Sequence, residues 1–331
     1  MQRRKITVTG MVQGVGFRPF VYKLACRLEL GGWVLNNAAG VQIEVEGADY
    51  QIAEFLTALT EEAPPLAAVG ELVVADCPLQ GGEREFVIRH STEEVGKTVL
   101  ISPDVATCLD CQQEIRHCQD RRYGYAFTNC TNCGPRYTII KDVPYDRATT
   151  TMAGFTMCAS CQAEYDNPTN RRFHAQPNAC PVCGPEYRLL GSATGTEPFQ
   201  QTKTLIAQGA IVAIKGIGGY HLACDACNQQ AVQRLRSRKI REDKPLAVMA
   251  GSLEAIRRIC EVSPAEEKML SGTARPVVLL AKHSRYNLAD SVAPGNPYLG
   301  VMLPYAPVHW LLLNCDDIWV MTSGNCSDEP I

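Results

Sequence analysis

One cysteine pattern, written twice, constrains this chain more than any other feature. Cys108-x-x-Cys111 is followed after 18 residues by Cys130-x-x-Cys133, and the pattern returns 50 positions later as Cys158-x-x-Cys161 and Cys180-x-x-Cys183. The sequence between repeats too: Arg121-Arg122-Tyr123 matches Arg171-Arg172-Phe173, and Cys133-Gly134-Pro135-x-Tyr137 matches Cys183-Gly184-Pro185-x-Tyr187. Self-similarity at a fixed period marks a repeated structural unit. Two thiolates three positions apart on a tight turn aim at one ion, and two such turns supply the four sulfurs of a closed tetrahedral site. The pattern predicts two structural Zn2+ ions on Cys108, Cys111, Cys130, Cys133, Cys158, Cys161, Cys180 and Cys183. Spacing does not choose between closure within and across the repeats; closure within is the simpler arrangement. Four thiolates leave no position for a reacting water, so the metal is expected to hold structure rather than do chemistry.

A disulfide framework is the competing reading of 16 cysteines, but it belongs to small secreted chains. Here 331 residues, 46% of them hydrophobic, can bury two or three cores. After Met1-Gln-Arg-Arg-Lys5 the residues Ile6 to Gly10 alternate like a strand instead of forming the apolar run of a signal peptide. No later stretch is long and apolar enough for a membrane span. The expectation is a cytoplasmic, reducing location with no membrane contact. A net charge of -3 argues against bulk attraction to nucleic acid.

Ahead of the repeat, Ile6 and Val8 alternate with Thr7 and Thr9, and the strand breaks into Gln13-Gly14-Val15-Gly16-Phe17-Arg18. Pro19 opens a helix whose inner face carries Phe20, Val21, Leu24, Ala25 and Leu28. A strand, a glycine loop and a helix start make a pocket of backbone N–H groups, and Arg18 adds a bidentate cation, a combination suited to phosphate. Strands at Trp33 to Ala38 and Val41 to Glu46, a helix at Tyr50 to Leu59, and strands near Val69 to Asp76 and Glu85 to Arg89 complete a βαββαβ order with an edge strand, a ferredoxin-like sandwich.

In the last third, a helix around Thr202 to Gln208 and the strand Ala210 to Ile214 lead into the glycine turn Lys215-Gly216-Ile217-Gly218-Gly219. Six basic residues then crowd Arg234 to Lys244; alone, such a run reads as a solvated helix face. His221 and His309 read as structural histidines, Cys224-x-x-Cys227 as unliganded or weakly metal-binding, and His174 as hydrogen-bonded near the second repeat.

Val12 to Arg18 together with Gly32-Trp33-Val34-Leu35-Asn36-Asn37 resembles the acylphosphatase family over residues 1 to 90. That resemblance implies that Gln13, Gly14, Val15, Gly16, Phe17 and Arg18 hold a phosphate and that Asn36 orients the attacking water, with Arg18 and Asn36 catalytic. Asn37 competes with Asn36, because one residue of register turns a strand side chain to the other face. Lys239-Ile-Arg241-Glu-Asp-Lys244-Pro245-Leu246, Gly300 to Pro304 and Thr322-Ser323-Gly324-Asn325 resemble the YrdC/Sua5 family. By that resemblance Lys239, Arg241, Lys244, Ser323 and Asn325 bind ATP with Mg2+, and Gly324 in place of the family's alanine loosens the loop.

The order of these parts resembles the N-terminal portion of the HypF family of carbamoyltransferases, maturation factors of [NiFe]-hydrogenases. The fold class expected is α+β multidomain: a ferredoxin-like acylphosphatase sandwich at 1–91, two four-cysteine zinc modules at 105–190, and a YrdC-like α/β domain at 198–331. The resemblance implies hydrolysis of carbamoyl phosphate, ATP-dependent formation of carbamoyl-adenylate, and transfer to the C-terminal cysteine of HypE, the precursor of a cyanide ligand. The chain stops at Asp328-Glu329-Pro330-Ile331, where the YrdC-like unit is expected to continue and a TsaD-like transfer domain to follow. A fragment or a truncated gene is therefore expected, unable to complete transfer alone. A freestanding acylphosphatase with zinc modules for protein docking is the alternative. An RNA-binding protein using the basic run is weaker, since no aromatics interleave with it.

Overall fold

The computed structural model describes residues 1–81, 85–89, 91, 100–191, 197–283 and 287–325. The chain forms two compact units, one of residues 1–104 with 129–184 and one of residues 105–128 with 185–331. The chain end at 328–331 and the polar stretch at 192–196 lie outside the described residues.

In the first unit, β1 (Gln2–Met11), α1 (Phe17–Arg27), β2 (Gly31–Asn37), β3 (Gly40–Gly47), α2 (Asp49–Glu61), β4 (Ala68–Asp76) and β5 (Phe86–Ile88) follow the βαββαβ order with its edge strand. The sheet runs β4-β1-β3-β2-β5; β5 lies parallel to β2 and the other pairs are antiparallel. Register explains the alternation seen in sequence. Ile6 faces Ile43 and Val8 faces Val41, so one side of the pleat is apolar throughout. Both helices cover that side with Phe17, Val21, Leu24, Ala25, Ile52, Phe55 and Leu59, all buried. Phe55, fully enclosed, contributes about 2 to 3 kcal/mol of burial by itself.

The duplication in sequence is a duplication in backbone. Helices α3 (Leu109–Arg116) and α4 (Ala159–Asp166) each begin directly after the first cysteine of their repeat, and their C-caps, His117 and Asn167, share φ -85° with ψ of 112° and 113°. Beyond each helix a chain reversal closes on it: Gly124 N–H donates to Ile115 and His174 N–H to Tyr165, at 2.9 and 3.0 Å. Both reversals need a left-handed residue. Gly124 supplies it at φ +67° without cost, whereas His174 holds φ +52°, a conformation L side chains adopt only when their surroundings enforce it.

The second unit is built from α5 (Pro198–Ala207), β6 (Val212–Lys215), β7 (Tyr220–Asp225), α6 (Gln229–Lys239), β8 (Val248–Ala250), α7 (Leu253–Arg257), α8 (Pro264–Ser271), β9 (Val278–Ala281), β10 (Tyr298–Met302), α9 (Pro307–Leu312) and β11 (Ile318–Ser323). The strand expected from Ala210 begins at Val212, because Gly209 at φ +85° terminates α5 and the next N–H, of Ala210, still returns to Leu205. Its six-stranded sheet runs β6-β7-β11-β8-β10-β9. Each central strand divides its side chains between two cores. Ile318 and Val320 enter one, Trp319 and Met321 the other, and Val248 and Met249 part the same way. A sheet buried on both faces must be continuously apolar, which is why Val248 to Ala250 shows no alternation in sequence.

Candidate functional site

Gln13, between β1 and α1, is buried, and its side chain is fully used: Nε2 donates to the Asn37 and Gly40 carbonyls, both at 2.8 Å, while Oε1 accepts from Tyr145 N–H at 2.9 Å. Gly14 and Gly16 follow at φ +73° and +79°, so the loop curls in a way other residues resist. Gly16 is the N-cap of α1 and no side chain caps the helix, leaving first-turn N–H groups directed at whatever sits over the loop. Arg136 fixes the loop from outside. Its Nε donates to the Gly14 carbonyl at 2.8 Å and its other nitrogens to the Thr131 and Cys133 carbonyls.

These groups line a small cavity, about 30 Å³ of free space, enough for roughly two waters. Arg18, Asn36, Tyr145, His174 and Gln176 share its wall. Arg18 is 8% exposed and pairs with Asp146 at 2.6 Å. Asn36 is 1% exposed, and its Oδ1 accepts no hydrogen bond from the described residues. The neighbouring Asn37 is occupied elsewhere: its Oδ1 accepts the N–H groups of Ala39 and Gly40 and so builds the β2–β3 turn. Of the two asparagines, Asn36 is the one that lines the cavity. Burial pushes the Tyr145 phenol up to about 12, so it stays a neutral donor, to the Pro135 carbonyl. His174, read from sequence as hydrogen-bonded near the second repeat, lies in this wall.

Both cysteine quartets assemble within their own repeat. The Sγ atoms of Cys108, Cys111, Cys130 and Cys133 lie within 4.8 Å of one another, as do those of Cys158, Cys161, Cys180 and Cys183. The sulfur separations, 3.8 Å for Cys130 to Cys133, Cys158 to Cys180 and Cys180 to Cys183 and 3.7 Å for Cys161 to Cys183, are too long for disulfides. They match the edge of a tetrahedron with Zn–S bonds of about 2.3 Å. The residues therefore fit zinc and leave no ligand position open. Cys224 and Cys227 join neither cluster, and burial pushes the Cys224 thiol up to about 12, away from thiolate chemistry.

In the second unit Lys239, Ser323 and Asn325 converge. Lys239, 5% exposed at the end of α6, donates to the Ser323 carbonyl at 2.8 Å and to the Asn325 side chain at 3.2 Å, and the Ser323 hydroxyl bonds Asn325. Arg241 is turned to its own loop, with the Lys244 and Pro245 carbonyls at 3.0 and 2.6 Å, and Lys244 is exposed. The basic run is not a uniformly solvated face: Arg236 is 8% exposed and clamps the Arg241, Glu242 and Val292 carbonyls. Gly324 has a packing role as well. It lets Tyr220 approach, and an alanine methyl there would meet Tyr220 at 3.1 Å.

His221 pairs directly with Ser323 across β7 and β11, and its Nε2 lies 2.6 Å from the Tyr305 hydroxyl. His309 packs edge-on against Tyr305, and burial, reinforced by His221, pushes its pKa down to about 3. An unfolded His309 titrates near 6.5, so the unfolded chain takes up a proton first as pH falls. The stability from keeping His309 neutral is complete above pH 6.5 and is lost progressively toward pH 3, by up to about 4 to 5 kcal/mol. Urea midpoints at pH 7 and pH 5 should therefore differ less in a His309→Gln variant than in the parent; an equal difference would contradict this.

Residues 4–88 match the acylphosphatase family model, and the chain is 43% identical over 88 residues to an acylphosphatase of Syntrophotalea carbinolica, 95% of which it covers. These residues belong to the acylphosphatase family. The HypF finger model matches residues 107–140 and 157–190, and the Sua5/YciO/YrdC model, described as telomere recombination, matches residues 204–331. A carbamoyltransferase HypF of Rhodobacter capsulatus is 50% identical over 100% of this chain. A crystal structure of full-length HypF in the phosphate- and nucleotide-bound form superposes with a TM-score of 0.95 at 46% identity, again over 100% of the chain. The chain belongs to the HypF family. It spans 44% of the length of each of these two relatives. A freestanding acylphosphatase is not favoured, because the match runs through the fingers and the second unit as well. Among the described residues no helix is long and apolar enough to cross a membrane.

Proposed function

We propose that the first unit hydrolyses carbamoyl phosphate and that the second supplies an ATP site at which the released carbamate is adenylated. The observation that carries the reading is the meeting, in one small cavity, of Arg18, the glycine loop and the Asn36 oxygen that has no partner among the described residues. The substrate phosphoryl group belongs over the N-terminus of α1, where backbone N–H groups and the Arg18 guanidinium offset its charge. Asn36 Oδ1 accepts a hydrogen bond from a water and aims it at phosphorus. Water adds as the bridging P–O bond breaks, giving carbamate and inorganic phosphate. Charge stabilisation and placement supply the rate, without a covalent intermediate.

Carbamate decomposes in water, so a second site in the same chain suits its use. Lys239, Ser323 and Asn325 would hold ATP, with Mg2+ on its phosphates, for attack by carbamate on the α-phosphorus to give carbamoyl-adenylate and pyrophosphate. In the longer proteins of this family the carbamoyl group would then pass to the C-terminal cysteine of HypE. The role of the zinc fingers is structural in this scheme.

The test is phosphate release from carbamoyl phosphate by the purified chain. Asn36→Ala is expected to lower kcat by about 10²-fold with little change in KM, since it removes water placement and leaves the phosphate cradle. Wild-type kcat in that variant would exclude Asn36 from the reaction.

A further inference from the structure

An acylphosphatase-type loop carries its own arginine, but here the arginine is not left to solvent. Arg18 Nη2 donates to Asp146 Oδ1 at 2.6 Å and lies 3.4 Å from the Tyr145 carbonyl. Asp146 comes from the segment between the two cysteine repeats, 128 positions along the chain, and it is itself held. Its second carboxylate oxygen accepts the Ser91 hydroxyl, and its N–H donates to Thr149 Oγ1 at 3.2 Å. The adjoining Tyr145 is fixed too, its N–H donating to Gln13 Oε1 at 2.9 Å. One short segment therefore grips the loop at Gln13 and the cation at Arg18.

We propose that Asp146 is a positioning residue for Arg18: it takes one edge of the guanidinium and so turns the remaining donors toward the phosphate. The inference rests on the reading of this cavity as the acyl-phosphate site. An arginine without such an anchor samples many rotamers and loses one alignment on binding; a fixed carboxylate removes that loss in advance. Asp146 does not line the cavity itself, so it acts through Arg18 and does not touch substrate.

The experiment is made on the whole chain. Asp146→Ala is expected to raise KM for carbamoyl phosphate and the dissociation constant of inorganic phosphate by about 10-fold or more, at unchanged zinc content and melting temperature, as misplacement of a bound ion's partner does. Asp146→Glu should restore part of the loss. In an Arg18→Lys background Asp146→Ala should add less than about twofold, because the two residues act as one unit. Phosphate affinity within twofold of the parent for Asp146→Ala, or losses that multiply in the double variant, would overturn the proposal. If Asp146→Ala alters folding, the isosteric Asp146→Asn carries the same phosphate measurement. Should Arg18→Ala itself leave hydrolysis intact, the reading of the cavity fails, which is a separate result from failure of Asp146.

Discussion

Cys161→Ser is expected to unfold the second finger. The Cys161 sulfur is fully buried, 3.7 Å from Cys183, in a quartet with no spare ligand among its neighbours. A structural zinc site couples roughly 10 to 16 kcal/mol of binding to folding, more than a small loop-rich segment gains from its own core. The hydroxyl of serine is a poor zinc ligand at neutral pH, so most of that energy is lost with one atom. Metal analysis should show about one zinc fewer per chain, and the cavity wall contributed by His174 and Gln176 should disorder with it. Cys227→Ser, at an exposed cysteine outside both quartets, is the control and should change stability by no more than about 0.5 kcal/mol. Retention of both metals in Cys161→Ser would remove the basis for the structural assignment.

Arg18→Ala is expected to lower kcat/KM for carbamoyl phosphate by about 10² to 10³-fold, the range seen when a charge-stabilising donor is removed from a preorganised site. The cavity that Arg18 lines is small, and Arg18 is only 8% exposed, so bulk solvent replaces its guanidinium poorly. Arg18→Lys should recover only part, since an ammonium cannot bind Asp146 and a phosphate through one planar fork. Steady-state phosphate release measures both, and a loss below about fivefold for Arg18→Ala would sink the hydrolytic reading.

Much of the fold was legible because its signals are local. Cysteine spacing named the eight ligands, though not their grouping, and alternation at Ile6 and Val8 marked the first strand. The sequence at Asn36 and Asn37 left two choices, and only the β2–β3 turn, which uses Asn37, separates them. Asp146 carried no signal at all, since its partner is far along the chain and the type of residue is ordinary. Arg136 did leave a trace: the corresponding position of the second repeat is Glu186, a reversal of charge inside an otherwise kept motif. His174 left another, standing where the first repeat has Gly124. The basic run shows a different limit. Charge counting cannot distinguish a solvated arginine from one that, like Arg236, donates inward to carbonyls.

The left-handed reversal shared by Gly124 and His174 dates the two fingers relative to their tasks. A copied module begins with two identical backbones under one constraint, to hold a metal. One copy kept glycine where the chain must bend; the other tolerates a strained histidine there and presents it to the cavity. The copies have ceased to be synonyms. Exchanging them would keep both sets of sulfur ligands yet put glycine where the cavity has its imidazole and glutamate where Arg136 steadies the loop.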